Sequence, residues 1–331
     1  MVDVAAPASR IGLGTWAMGG VQWGGTEDGE SVRTIHAALD HGVTLIDTAP
    51  AYGFGRSEEV VGRAIAEHGG RERVVLATKV GLERKGDGVV RNATRGQIFR
   101  EVEDSLRRLR TEYIDLYQVH WPDAATPHEE TAAALVELKR QGKIRAIGVS
   151  NYSIPEMERF RSLAPLASAQ PPLNLFEQQP LADVIPWCRD HGVATLTYGA
   201  LCRGLLSGEI DESTEFRGDD LRKEDPKFQQ PRFDRYLRAV RLLDRFARER
   251  YGKGVLALAV RWVLEQPGAT VALWGARHPS ELEPLKDVFG WSLDAGAQLY
   301  IREAVSESVP EPVGPEFMAP PEAAASPHAP T

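Results

Sequence analysis

Eight short runs of β-forming residues follow one another along this chain, and most gaps between them carry an amphipathic helical pattern. The runs are Ile11–Gly14, 45–47, 73–79, 113–120, 144–149, Leu166–Gln170, 194–198 and 270–274. Helical spacing covers 31–40, a stretch opening at Ser57, 94–109, 129–141, 155–163, 181–190, 233–250 and 255–264. Ser57 is placed to cap its helix, with Glu58 and Glu59 in the first turn. Most runs are continuously apolar, as strands covered on both faces are, so the pattern predicts parallel βαβ units. Eight such units close into a single-domain (β/α)8 TIM barrel, and 331 residues hold one barrel of about 250 residues with additions. The first run is the weakest and reads also as part of an N-terminal hairpin over the barrel floor. A long polar loop, 207–230, follows the seventh run; loops of that length are usually functional or mobile. From residue 308 onward proline recurs among alanine and glutamate, which suits neither helix nor core. The barrel is therefore assigned to 1–307 and a partly disordered tail to 308–331, with 313–318 expected to lie over the barrel.

Composition removes several classes of function. A net charge of −8 offers no basic face for nucleic acid. No apolar run approaches the roughly 20 residues that span a bilayer, and the first seven residues lack a basic, then apolar, leader pattern. Cys188 and Cys202 have no metal-ligand spacing, so a reduced cytoplasmic compartment and no metal site are expected. Oligomeric state is left open.

Three runs end in ionisable residues: Asp47, Lys79 and His120. Tyr52 follows the first of them after a turn at Pro50. In a barrel of this kind the C-terminal strand ends share one rim, which gathers a carboxylate, an ammonium, a phenol and an imidazole. A free phenol, with a pKa near 10, is a poor acid at neutral pH. A lysine beside it favours phenolate, and an aspartate keeps that lysine charged and in place. Such a set suits proton delivery to an oxygen while another group adds to its carbon, which is carbonyl reduction or the reverse. Taken singly, Asp47 and Lys79 read equally well as a structural ion pair, His120 as a core histidine and Tyr52 as a packing residue. Their joint placement on consecutive strand ends favours the chemical reading.

The motifs Asp47-Thr48-Ala49, Tyr52-Gly53, Ser57-Glu58-Glu59, Thr78-Lys79, Asp115-Leu116, His120 with Pro122-Asp123, Gly148-Val149-Ser150-Asn151 and Gly204-Leu205-Leu206 resemble those of the aldo-keto reductase superfamily, in order over about residues 10–290. The resemblance implies NADP(H)-dependent reduction of aldehydes and ketones, or the reverse oxidation of an alcohol or sugar, on an (α/β)8 barrel without metal. By it Tyr52 is the general acid/base, Asp47 and Lys79 its tuning pair, and His120 the group that orients the carbonyl. It also implies that Ser150, Asn151 and Gln170 hold the nicotinamide carboxamide and that Tyr198 stacks on the ring. Thr15, Trp16 and Asp47 are expected on the cofactor side as well. The glycine-rich stretch Gly199, Leu201, Arg203, Gly204, Leu205 offers backbone N–H groups to a pyrophosphate. Gly275 and Arg277 open an anion site after the eighth run, with Arg277 placed to meet a 2′-phosphate. Departures from the family pattern lie at Trp274, Glu281, Pro284, Leu285 and Glu209. Glu281 and Leu285 stand where adenosine contacts are expected, so NAD(H) remains open beside NADP(H). Trp23, Phe54 and Trp121, with Trp16, are expected to wall the pocket of a small carbonyl or alcohol substrate.

Other readings carry less. Gly12-Leu13-Gly14-Thr15-Trp16-Ala17 fits a dinucleotide fingerprint, but no helix opens after it and no acidic residue ends a second strand at the right distance. A metal-dependent isomerase would need more His, Asp and Glu at strand ends. A nucleotide-sensing subunit with little turnover is the alternative outside catalysis, and a measured turnover separates the two.

Overall fold

The computed structural model describes residues 9–322, so the leader reading at the N-terminus and the last nine residues of the tail lie outside the described residues. Eight strands form a closed parallel barrel: β1 (Ile11–Gly14), β2 (Leu45–Asp47), β3 (Val75–Val80), β6 (Ile114–Val119), β7 (Ile144–Ser150), β8 (Leu166–Gln170), β9 (Ala194–Thr197) and β10 (Val271–Gly275). β4 (Leu82–Lys85) and β5 (Gly88–Arg91) form a separate antiparallel hairpin. The helices around the barrel are α1 (Asp28–Asp40), α2 (Arg56–His68), α3 (Arg95–Leu109), α4 (His128–Arg140), α5 (Ile154–Arg161), α6 (Val184–Asp190), α7 (Arg232–Tyr251) and α8 (Val255–Glu265). A further helix, α9 (Ala295–Ser308), packs on α7. β1 is a full barrel strand, paired with β2 on one side and β10 on the other, which removes the N-terminal hairpin alternative.

Strand alternation explains how the barrel carries a site. Inward side chains recur every second residue. Leu45, Val75, Ala77, Leu116, Leu196, Val271 and Leu273 form a buried apolar cluster inside the barrel. One step further along the same faces come Asp47, Lys79, Gln118, Tyr198 and Gly275. The plug excludes water beneath the rim, so polar groups above it work in a low-dielectric setting. A much larger apolar layer lies between the strands and the helices.

Several local expectations are corrected. α2 starts at Arg56 after Gly55, which takes a left-handed φ of 100°. Ser57 is therefore inside the helix, and its hydroxyl bonds Thr15 O (2.9 Å) and Thr15 Oγ1 (2.8 Å) instead of capping. Lys79 is the penultimate residue of β3, and His120 follows the end of β6. The 181–190 helix is a 3₁₀ turn at Gln179–Leu181 followed by the shorter α6, because the Asp183 side chain caps Val184 N. Residues Pro279–Val288 adopt 3₁₀ geometry, in keeping with Pro284 and its missing N–H. The β4–β5 hairpin and α9 had no strong signal: the first is charged and short, and the second is announced only by Asp294, whose side chain caps Ala297 N at 2.8 Å.

The segment after α9 lies along the barrel as far as it is described. Val313 N donates to Tyr236 Oη (3.0 Å), Gly314 O accepts from Lys227 Nζ (3.2 Å), and Arg91 N donates to Pro321 O (3.0 Å). Arg91 also holds Pro320 O through Nε (2.9 Å) and pairs with Glu322. A proline-rich chain cannot supply its own ladder, so its backbone carbonyls are met by side chains and by the hairpin instead.

Candidate active site

The site is built where two loops meet at van der Waals limits. The 3₁₀ turn Trp16–Gly19 packs on the turn that carries Tyr52. A Cβ at Gly19 would lie 2.5 Å from Tyr52 C, and one at Gly53 only 2.1 Å from Gly19 O. Two glycines thus permit the approach that sets the height of Tyr52. Thr15 N and Oγ1 both donate to Asp47 O (3.0 and 2.9 Å), which ties the end of β1 to the end of β2.

At the centre is Lys79, with no exposed surface. Its Nζ donates to Asp47 Oδ1 (2.5 Å), Thr48 O (2.9 Å) and Tyr52 Oη (3.1 Å). An ammonium has three donors, and all three are used. Burial works against its charge, but Asp47 and then Tyr52 outweigh burial, and the Lys79 pKa lies above its ordinary value. The half-buried Tyr52 hydroxyl is pushed upward, chiefly by desolvation; Lys79 pulls the other way and Asp47 adds to the rise. The phenol is therefore protonated at neutral pH, whereas the sequence reading stressed the downward pull of lysine alone.

His120 meets the Tyr52 ring edge-on, with centroids 5.7 Å apart. Desolvation, then the charge on Lys79, hold its imidazole well below the usual pKa, so it is neutral. Trp16 stacks on the other side of Tyr52 at 5.9 Å and meets Trp23 edge-on at 5.4 Å. Arg91 lies 5.3 Å over Trp121, and Arg84 lies 4.1 Å over Phe54. Of the side chains expected in a substrate wall, Trp23, Phe54 and Trp121 thus each carry a basic neighbour, since Arg222 sits 5.3 Å from Trp23.

On the far side of the rim, Asn151 takes a left-handed φ of 61° and donates to His120 O (3.0 Å) and Ser150 Oγ (3.1 Å). Its Oδ1 accepts from Tyr198 Oη (3.0 Å). Ser150 Oγ donates to Gln170 O (2.9 Å), and Gln170 Nε2 reaches Asp47 Oδ2 (2.9 Å). Ser150, Asn151, Gln170 and Tyr198 are thus one connected polar edge that reaches the Asp47–Lys79 pair. After β9, Gly199, Cys202, Arg203, Gly204 and Gly208 all have positive φ, so the backbone from Gly199 past Leu201 and Leu205 is a tight series of turns. A Cβ at Gly275 would meet nothing within 4 Å, which leaves open room at the end of β10. Arg277 donates through Nη1 to Trp23 O (3.2 Å), while its backbone N–H is met by Glu281 Oε2 at 2.8 Å. A carboxylate therefore stands at the anion position ahead of that 3₁₀ segment.

A family model described as the aldo/keto reductase family matches residues 10–305 of this chain. The chain belongs to the aldo/keto reductase family. Among relatives, the aldo-keto reductase YhdN of Bacillus subtilis (strain 168) is 58% identical over 321 residues, covering 97% of each chain. The NADH-specific methylglyoxal reductase of Escherichia coli (strain K12) is 36% identical over 291 residues, 83% of this chain and 87% of its own. The glycerol dehydrogenase AKR11B4 from Gluconobacter oxydans superposes with a TM-score of 0.85 at 52% identity, covering 95% of this chain and 96% of its own.

In this aldo/keto reductase two features escaped the sequence reading: the buried charges around Arg203, and Gln118. Arg203, expected at a phosphate, has its guanidinium between Glu177 Oε1 (2.7 Å) and Asp225 Oδ2 (2.5 Å), and Lys227 joins the same buried cluster. That leaves its backbone as what it can offer an anion. Burial opposes the charge on Glu177, yet Arg203 and Lys227 hold its carboxyl below the usual range. Gln118 lies within the barrel and reaches Asp47 Oδ2 at 3.3 Å. Its only signal in the sequence is that it shares the inward face with His120 two residues on. Among the described residues no helix is long and apolar enough to cross a membrane, and both cysteines are free and buried.

Proposed function

We propose that this oxidoreductase transfers hydride between NADP(H) and a small oxygenated carbonyl or alcohol, with Tyr52 as general acid/base. One observation carries the reading: Lys79 Nζ links the Asp47 carboxylate to the Tyr52 hydroxyl at a rim that also holds a neutral His120. Ser150, Asn151, Gln170 and Tyr198 would hold the nicotinamide, which would supply the hydride when bound. The chain's own part is to place the carbonyl oxygen between Tyr52 Oη and the imidazole. In reduction Tyr52 gives its proton to that oxygen as the carbon gains hydride, and the phenolate left behind is balanced by the ammonium of Lys79. In oxidation the same phenolate removes the alcohol proton. His120, being neutral, orients the oxygen without adding a second cation beside Lys79.

Arg277 supports NADP(H), because the residue is only partly buried and its guanidinium donates to a backbone carbonyl, Trp23 O. NADH is the second reading. The Glu281 carboxylate stands beside Arg277, where it suits a ribose hydroxyl better than a phosphate, and one relative is named for NADH. The relatives' names, methylglyoxal reductase and glycerol dehydrogenase, support a small polar substrate.

Titration with NADPH and NADH, followed by tryptophan fluorescence, tests the cofactor, and Tyr52→Phe tests the chemistry. Binding of NADPH in preference to NADH, weakened by Arg277→Ala for NADPH alone, is expected. Tyr52→Phe should bind cofactor normally and lose roughly 10²–10⁴-fold in turnover. Binding of neither nucleotide, or near-normal turnover by Tyr52→Phe, overturns the reading.

A further inference from the structure

Asp47 has two carboxylate oxygens, and only Oδ1 faces Lys79. Oδ2 accepts from two side-chain amides, Gln170 Nε2 at 2.9 Å and Gln118 Nε2 at 3.3 Å. Gln170 Nε2 also lies 3.5 Å from Gln118 Oε1, which closes a triangle of two amides and one carboxylate oxygen. Gln118 has no exposed surface, and Gln170 is 2% exposed.

Register shows how the barrel admits a glutamine here. Lys79 pairs with Gln118 across β3 and β6, Gln118 with Gly148 on β7, and Gly148 with Ser168 on β8. These four positions form one inward layer. A Cβ at Gly148 would lie 2.9 Å from Gln118 Cγ and 2.4 Å from Ser168 Oγ, so the glycine makes the space that the glutamine stem fills. The layer below is purely apolar, with Leu116 on the same face of β6. An amide in this position is costly unless its polar atoms are met, and it meets them on Asp47 and Gln170.

We infer that Gln118 is a positioning residue for proton transfer: its amide fixes Oδ2 of Asp47, which turns Oδ1 toward Lys79 and thereby sets the Lys79–Tyr52 contact. The inference rests on the proton-donor reading of Tyr52. A carboxylate free to rotate about its terminal torsion would share Lys79 between its oxygens and let Nζ drift from Tyr52 Oη. Two neutral donors prevent this without placing another charge beside the pair. Gln118 shares its layer with Lys79 and meets the edge proposed for the cofactor only through the 3.5 Å contact with Gln170, so its effect falls on the rate more than on cofactor affinity.

The test compares wild type, Tyr52→Phe, Gln118→Met and Gln118→Glu, using the fastest substrate from a panel of 2-oxoaldehydes, aldoses and polyols with NADPH and NADH. Gln118→Met keeps the volume and removes the donor; it should lower kcat about tenfold, the loss expected for one hydrogen bond to a charged group, with a smaller change in the cofactor Kd. Gln118→Glu should run near the wild-type rate at acid pH, where the added carboxyl is protonated and still donates. Its kcat should then fall as that carboxyl ionises against Asp47, giving a limb in the pH profile that wild type lacks. A residue that only filled space would alter thermal stability and leave the pH profile unmoved. If Tyr52→Phe is inactive while both Gln118 variants keep wild-type kcat and profile, the positioning role is overturned and the proton-donor reading stands. If Tyr52→Phe keeps full turnover, the proton-donor reading falls and the role of Gln118 falls with it.

Discussion

Replacing Lys79 by methionine removes three hydrogen bonds at once and leaves Asp47, whose side chain is 3% exposed, without its counter-ion. Breaking one half of a buried pair costs about 3–5 kcal/mol, because the remaining charge has been taken out of water. Asp47 keeps the amides of Gln118 and Gln170, so the lower end, about 3 kcal/mol, is the expected figure. At 331 residues that corresponds to a melting shift of roughly 4 °C. The double variant Asp47→Asn/Lys79→Met has no stranded charge and should recover at least half of the loss. The chemical effect is separate. With Nζ 3.1 Å from Tyr52 Oη, an effective dielectric of about 20 puts the attraction for phenolate at no more than ~5 kcal/mol, and the opposite charge of Asp47 cancels part of it. Alcohol oxidation, which needs that phenolate, should therefore slow at least ~100-fold in Lys79→Met and should not recover in the double variant. Urea melts and kcat on wild type, Lys79→Met, Asp47→Asn and the double variant provide the assay. A double variant as unstable as the sum of the singles would refute the stranded-charge argument, and recovery of rate together with stability would refute the phenolate argument.

Glu101 gives a pH-dependent stability with a definite sign. Buried against Gly81 N–H and near Glu58, its carboxyl is pushed up to about 8, chiefly by desolvation. The folded chain then holds a proton that the unfolded chain has released, so this contribution is full below about pH 4.5 and is lost as pH rises toward 8. Glu101→Gln should flatten that part of the curve, gaining on wild type between pH 5 and 8 by up to a few kcal/mol in denaturant melts; parallel curves would remove Glu101 as the cause. Arg203→Met should cost about 3–5 kcal/mol, since it leaves Glu177 and Asp225 buried with Lys227 as their remaining cation. If Arg203→Met instead kept full thermal stability while losing only cofactor affinity, its guanidinium would belong to the phosphate site.

The barrel was legible because strand and helix periods alternate so regularly, and the rim residues because three of them carry charge or a ring nitrogen where a strand ends. The same alternation that marks Lys79 and His120 also marks Gln118, but glutamine titrates nowhere and stood out from nothing. Arg203 shows the opposite limit. Its glycine-rich neighbourhood suggested a phosphate, while the acids that hold its side chain, Glu177 and Asp225, lie more than twenty residues away on either side and come together only through the fold. Ser57 was read from a local capping pattern and was claimed instead by a tertiary partner, Thr15. The hairpin β4–β5 is too short and charged for periodicity to find, and Arg91 at its end gains its meaning from Trp121 and from a proline-rich segment more than two hundred residues on.

The seam between β1 and β10 bears on how the chain is made. Gly14 lies against Gly275, so β1 leaves the ribosome long before β10 and waits for it with one edge uncovered. Entropy grows slowly with loop length and does not forbid so late a closure. Until it happens, however, every nascent chain exposes a row of unpaired backbone groups on β1, the kind of edge that templates association with another chain. Chains cut short before residue 271 can never seal it, and should therefore be recovered as aggregates or on chaperones, not as smaller folded barrels.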